Sequence, residues 1–180
     1  MKNSRTSKVI WFTGMSGSGK SYYSNHIKEM LQKENLKITI IDGDIIRDKY
    51  KIPVGFEYEE ICENNRNIAD ICKKEYKNSD ITIVSVISPY ESIRKEIKKK
   101  FDNDLFYIYV YSDIASLKKR DTKGLYKKAD MGLIDNLIGY SKKSIYEEPQ
   151  NADLKLNTSS NIKSSYNIEL LSNFINCKIL

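Results

Sequence analysis

The chain has 180 residues, 40% hydrophobic and 30% charged, with 30 Lys and Arg against 24 Asp and Glu for a net charge of +6. That length suits one domain with a sizeable core and is short for two; the composition excludes disordered, collagen-like and disulfide-dense classes. The longest apolar runs, residues 9–12 and 81–87, fall far short of a membrane span.

Residues 9–12 read as a buried strand, followed by a glycine-rich turn and a helix from about 20 to 34 with Tyr23, Ile27, Met30 and Leu31 along one side. Residues 38–41 form the next predicted strand. A helix over 57–77 carries Ile61, Ile68, Ile71 and Cys72, and 81–87 reads as a central strand buried on both faces. Pro89 marks the start of a helix over about 90–100, residues 105–111 form a strand, and a short helix ends near Arg120. A basic segment to about Pro149, a short strand near 154–156 and a final helix within 166–175 complete the chain. This alternation predicts an α/β fold: a parallel sheet of about five strands with helices on both faces. Ligands of such a sheet bind at the carboxyl ends of its strands.

Three cysteines, Cys62, Cys72 and Cys177, include no Cys-x-x-Cys pair and leave one unpaired in any disulfide scheme, so reduced thiols are expected. The one histidine, His26, reads as a helix-surface residue, which leaves little material for a zinc site or a Ser-His pair. Residues 1–8 are polar and basic and lead into no signal-peptide core, so the expected compartment is cytoplasmic. The basic excess suits a polyanionic partner, nucleic acid or nucleotide.

Between the first predicted strand and helix lies Gly14-Met15-Ser16-Gly17-Ser18-Gly19-Lys20-Ser21, which satisfies G-x-x-x-x-G-K-[ST] in the context that pattern requires. Glycines at 14, 17 and 19 let backbone N–H groups turn toward phosphate oxygens, Lys20 reaches the β and γ phosphates, and the Ser21 hydroxyl binds magnesium. The expected cofactors are therefore ATP, or another nucleoside triphosphate, and Mg²⁺. After the second strand comes Asp42-Gly43-Asp44, with Arg47 one helical turn on. One carboxylate is expected to face the metal and the other to accept a hydroxyl proton, while Arg47 clamps an acceptor phosphate.

These motifs, with Gly55-Phe56, Glu63-Asn64, Arg66, the VISPY run at 86–90 and RDTKGLYKKADMG at 120–132, resemble the adenylylsulfate kinase family in order and spacing over roughly residues 8–158. The resemblance implies a single P-loop kinase domain over 1–180 that moves the γ-phosphoryl of ATP to the 3′-hydroxyl of a nucleotide with a 5′ mixed anhydride. It implies Asp44 as base, Asp42 near the magnesium, and Arg47, Phe56, Asn64, Ile87 and Ser88 around the acceptor. The ISPY serine has been described in the family as a phosphoserine; direct transfer needs none, so Ser88 is taken as a binding residue. Residues 118–128 carry six positive charges and one negative and look like the family's mobile lid, about 120–149. There Arg120 meets the ATP base and Lys123 neutralises phosphate, with Gly124 and Leu125 on the substrate side.

Three positions depart from the family pattern. Ile61 stands where an arginine lies three residues before the asparagine, Leu137 where a phenylalanine stacks on the adenine, and Glu91 where an arginine follows ISPY. Stacking contributes about 1–3 kcal/mol per base, so these departures favour a different acceptor. The branch that phosphorylates cytidine diphosphoramidate in capsule biosynthesis fits; adenylylsulfate itself is the alternative, and a polynucleotide-binding P-loop protein a further one. The expected partner is a small nucleotide, not nucleic acid or membrane. The family often dimerises, which leaves a homodimer open.

Overall fold

The computed structural model describes residues 7–48 and 55–180, and the alternation of its first strand sets the layers. In β1 (Lys8–Thr13), Val9 and Trp11 point to one face and Ile10 and Phe12 to the other, all at 0% exposure. The Ile10 face receives α1 (Lys20–Gln32) through Tyr23, Ile27 and Leu31, and α7 (Ser164–Lys178) through Leu171 and Ile175. On the Trp11 face pack α3 (Tyr58–Tyr76), through Cys62, Ile68 and Cys72, and α4 (Glu91–Phe101), through Ile93, Ile97 and Phe101. A side chain of this size contributes about 1.5–3 kcal/mol when fully buried, so these two clusters hold the three layers together.

The remaining strands are β2 (Ile38–Asp42), β3 (Ile81–Ser85), β4 (Leu105–Tyr111) and β5 (Leu154–Asn157). Five parallel strands run in the order β2-β3-β1-β4-β5, the α/β architecture expected from the sequence. The chain order reverses direction across β1, so its carboxyl end and that of its neighbour β3 form a crevice. The third strand is shorter than predicted: it ends at Ser85, the Val86 amide still donates to the Phe12 carbonyl at 3.2 Å, and residues 87–89 turn away. Ile87 turns its carbonyl toward the Gly14 amide at 3.4 Å and the Thr13 hydroxyl at 2.5 Å, and Ser88 takes a left-handed φ of +44°.

Short helices fill the rim: α2 (Gly43–Asp48), α5 (Ile114–Arg120) and α6 (Leu125–Asp130). The last lies inside the predicted basic lid, where the run of lysines hides its apolar side. Tyr126 and Leu137 there join Leu117 in a small separate core, with Met15 of the phosphate loop packed against it. Among the described residues, no helix is long and apolar enough to cross a membrane.

Candidate functional site at the carboxyl rim

A cavity of about 530 Å³ opens at the carboxyl ends of β1, β2 and β3. Ser16, Gly17, Ser18, Gly19, Lys20 and Ser21 form one wall. Gly14 sits beneath them: a Cβ there would stand 2.0 Å from the Val110 carbonyl oxygen, and its φ of +151° disfavours a side chain, so the loop approaches β4 as closely as it does only with glycine. The first helix starts on Gly19 with no side-chain cap and no acid in its first turn, which leaves its amides open toward the cavity. Lys20 reaches back along the loop to donate to the Gly14 and Met15 carbonyls at 2.8 and 3.0 Å. Burial brings its ammonium down to about 8, with Lys123 pushing the same way and Asp44 and Asp42 pulling against them.

The acidic pair is held by the end of β2. Asp42 accepts from the Ser21 hydroxyl at 3.1 Å through one oxygen and from the Asp44 amide at 2.9 Å through the other. Gly43 between them packs against Val86; a Cβ would stand 2.8 Å from its methyl, so the absence of a side chain presses the acidic turn onto the end of β3. Asp44 pairs with Lys123, which joins the acidic turn to the basic segment that follows α5. Arg120 also faces the cavity and donates to the Thr158 carbonyl at 2.6 Å, which ties α5 to the chain beyond β5.

The rest of the lining includes the predicted Arg47, Asn64 and Ile87 and, in addition to them, Ile61, Asn65, Pro89 and Ile138. Asn64 is buried and its Oδ1 has no hydrogen-bond partner. Arg47 donates to the Gly55 carbonyl at 3.1 Å and lies 4.2 Å above the Phe56 ring.

Several predicted substrate residues stand back from this wall. Ser88 is 0% exposed, and its hydroxyl is consumed: it accepts from Trp11 Nε1 at 2.9 Å and donates to Asn65 Oδ1 at 2.6 Å. The expected role for its side chain is therefore corrected to that of a buried link between α3 and β1. Leu137 packs into the lid core with Leu117 and Tyr126, and the neighbouring Ile138 lines the cavity instead. Leu125 packs against the same core, Gly124 begins α6 in a left-handed turn, and Phe56 lies outside the lining, covered by Arg47. Asn65, Pro89 and Ile138, which also line the cavity, each adjoin a residue to which the sequence points.

The family model for adenylylsulphate kinase matches residues 6–157. An adenylyl-sulfate kinase of Bacillus licheniformis is 38% identical over 158 residues, covering 87% of this chain and 79% of the relative. That of Prochlorococcus marinus is 40% identical over 153 residues, covering 84% and 75%. A solved Mycobacterium tuberculosis APS kinase in complex with AMPPNP and APS superposes with a TM-score of 0.85 at 26% identity, covering 95% of this chain and 98% of that one. The matched stretch runs unbroken through the phosphate loop, the acidic turn and the lid that meet at this cavity, and the chain belongs to the adenylylsulphate kinase family.

Proposed function

We propose that this chain is an ATP-dependent kinase that transfers the γ-phosphoryl group to the 3′-hydroxyl of a nucleotide carrying a 5′ mixed anhydride, with adenylylsulfate as the acceptor. The reading rests on one observation above all: Lys20, Ser21, Asp42 and Asp44 meet on one cavity of about 530 Å³ that Asn64, Ile87 and Pro89 also line. The names of the curated relatives, and the nucleotide pair that the Mycobacterium structure holds, support the same acceptor. In this reading residues 1–180 act as one kinase domain with 120–149 as its lid.

The residues present fit both cofactors. The uncapped start of α1, free of acids, suits a triphosphate. Ser21 and Asp42 supply hard oxygen donors 3.1 Å apart, which suits a hard divalent cation. Ser21 and Asp42 would hold magnesium, which would supply positive charge to offset the negative charge that develops during transfer. Lys20 neutralises the phosphates from the loop side, and Lys123 does so from the lid. Asp44 accepts the proton of the attacking hydroxyl, and the lid core shields the transfer from water.

A second reading, transfer to cytidine diphosphoramidate, is favoured by Ile61, which at 4% exposure puts an apolar side chain on the acceptor wall. Side-by-side assays with γ-labelled ATP decide between them. The expected result is a larger kcat/KM for adenylylsulfate, with Lys20→Ala inactive. Preference for cytidine diphosphoramidate reverses the acceptor assignment, and no transfer to either overturns the kinase reading.

A further inference from the structure

Arg94 on α4 is a charged side chain buried to 2% exposure. It does not line the cavity, yet its planar fork joins three segments that meet behind the acceptor wall. Its Nη1 donates to the Ser88 carbonyl at 2.7 Å, and its Nη2 to the Glu147 carbonyl at 2.8 Å. Nε and Nη2 both donate to one Glu91 carboxylate oxygen, at 3.1 and 2.7 Å. The Ser88 peptide is the centre of a turn whose flanking residues, Ile87 and Pro89, face the cavity, and its φ of +44° is a conformation that a serine keeps only when its surroundings impose it.

The chain leaving the lid docks on the same turn. The Glu147 amide donates to the Pro89 carbonyl at 2.8 Å, and the Glu147 carboxylate receives the Glu91 amide at 2.6 Å. The Tyr146 hydroxyl pairs with Thr13 Oγ1 at 2.9 Å, and the Tyr146 ring stacks on Tyr109. We propose that Arg94 is a positioning residue that fastens the chain leaving the lid, at Tyr146 and Glu147, to the turn 87–89 that walls the acceptor side of the cavity. The proposal rests on the reading that the acceptor binds against that wall. The ATP cradle is built by β1 and α1 and does not draw on the guanidinium, so the two substrates should feel its loss unequally.

Arg94→Lys keeps a positive charge beside Glu91, but one ammonium on a flexible stem does not span the Ser88 and Glu147 carbonyls as the fork does. The expected result is an acceptor KM raised about tenfold or more, with the ATP KM changed by less than about twofold. In the protein without substrates, hydrogen exchange at amides of 87–91 and 145–149 should quicken by about tenfold while β1 and α1 stay protected. Glu147→Ala, an exposed position that leaves Arg94 in place, should shift both readouts in the same direction by less. Equal changes in both KM values, or unaltered exchange at the two segments in Arg94→Lys, overturn the proposal. The exchange measurement needs no turnover, so it tests the fastening even if wild-type protein phosphorylates neither acceptor, a result that would sink the functional reading instead.

Discussion

Asp44 occupies a junction at which one atom decides the chemistry. Its backbone amide is tied to Asp42, its carboxylate is paired with the lid's Lys123, and neither contact belongs to the phosphate loop. If Asp44 is the base proposed above, Asp44→Asn keeps the cradle and removes it: kcat should fall by about 10²–10⁴-fold with ATP affinity within about threefold, measured by steady-state kinetics and calorimetry. Near-wild-type turnover would give Asp44 a different job. Lys20 carries the pH dependence. With its ammonium lowered from 10.5 to about 8, the folded chain binds fewer protons than the unfolded chain between those values. This group's destabilising effect is thus fully present below about 8 and fades as pH rises toward 10.5. A triphosphate favours the charged form, so ATP affinity should decline as pH rises through about 8, with proton uptake on binding above it. Titration calorimetry in buffers of different ionisation enthalpy reads that uptake directly, and a flat affinity profile between about pH 7 and 10 would remove Lys20 from phosphate binding.

At the scale of elements, the strand-to-helix connections carry the constraint, because strand ends set where the loops stand. The loop after β1 is pressed against β4 at Gly14, whereas a methyl added at Gly124, at the start of α6, would meet nothing within 4 Å and would be opposed only by the φ of +65°. Gly14→Ala must displace main chain and should cost about 1–3 kcal/mol or more, whereas Gly124→Ala should cost about 1 kcal/mol for the backbone conformation alone. Urea denaturation of the two variants checks the order; equal losses would mean that the loop can yield without moving β4. The phosphate loop and the acidic turn were legible in the sequence because each is a short contiguous pattern following an apolar strand. The face of the lid was not. Whether Leu137 or Ile138 reaches the cavity depends on how a distant segment docks, and Ser88 is taken out of the site by Trp11, 77 positions away. The helix α6 escaped notice because lysines occupy the positions between its few apolar residues.

Across the whole molecule, two halves of the sequence meet over the cavity. The basic segment after α5 touches the loop through Met15 and through the Tyr126 hydroxyl, which donates to the Ser16 carbonyl at 2.8 Å, and it touches the acidic turn through Lys123. That last pair is more than half exposed, at 52% and 65%, so Lys123→Ala should change stability by less than about 1 kcal/mol. Its loss from the closed site should lower kcat/KM by about 10²-fold. Thermal melting beside the kinase assay separates the two effects, and parallel losses would make Lys123 a structural residue. The layer order, the strand count and the rim location of the site all follow from alternating apolar periodicity, which is why the architecture was readable while the lid's docking was not. The position of β1 in the middle of the sheet has a further consequence. Its hydrogen-bonding neighbours are β3, which begins at Ile81, and β4, which ends at Tyr111. A growing polypeptide on the ribosome thus makes β1 before either of its neighbours, so the sheet beneath the phosphate loop is completed only after β4 has emerged.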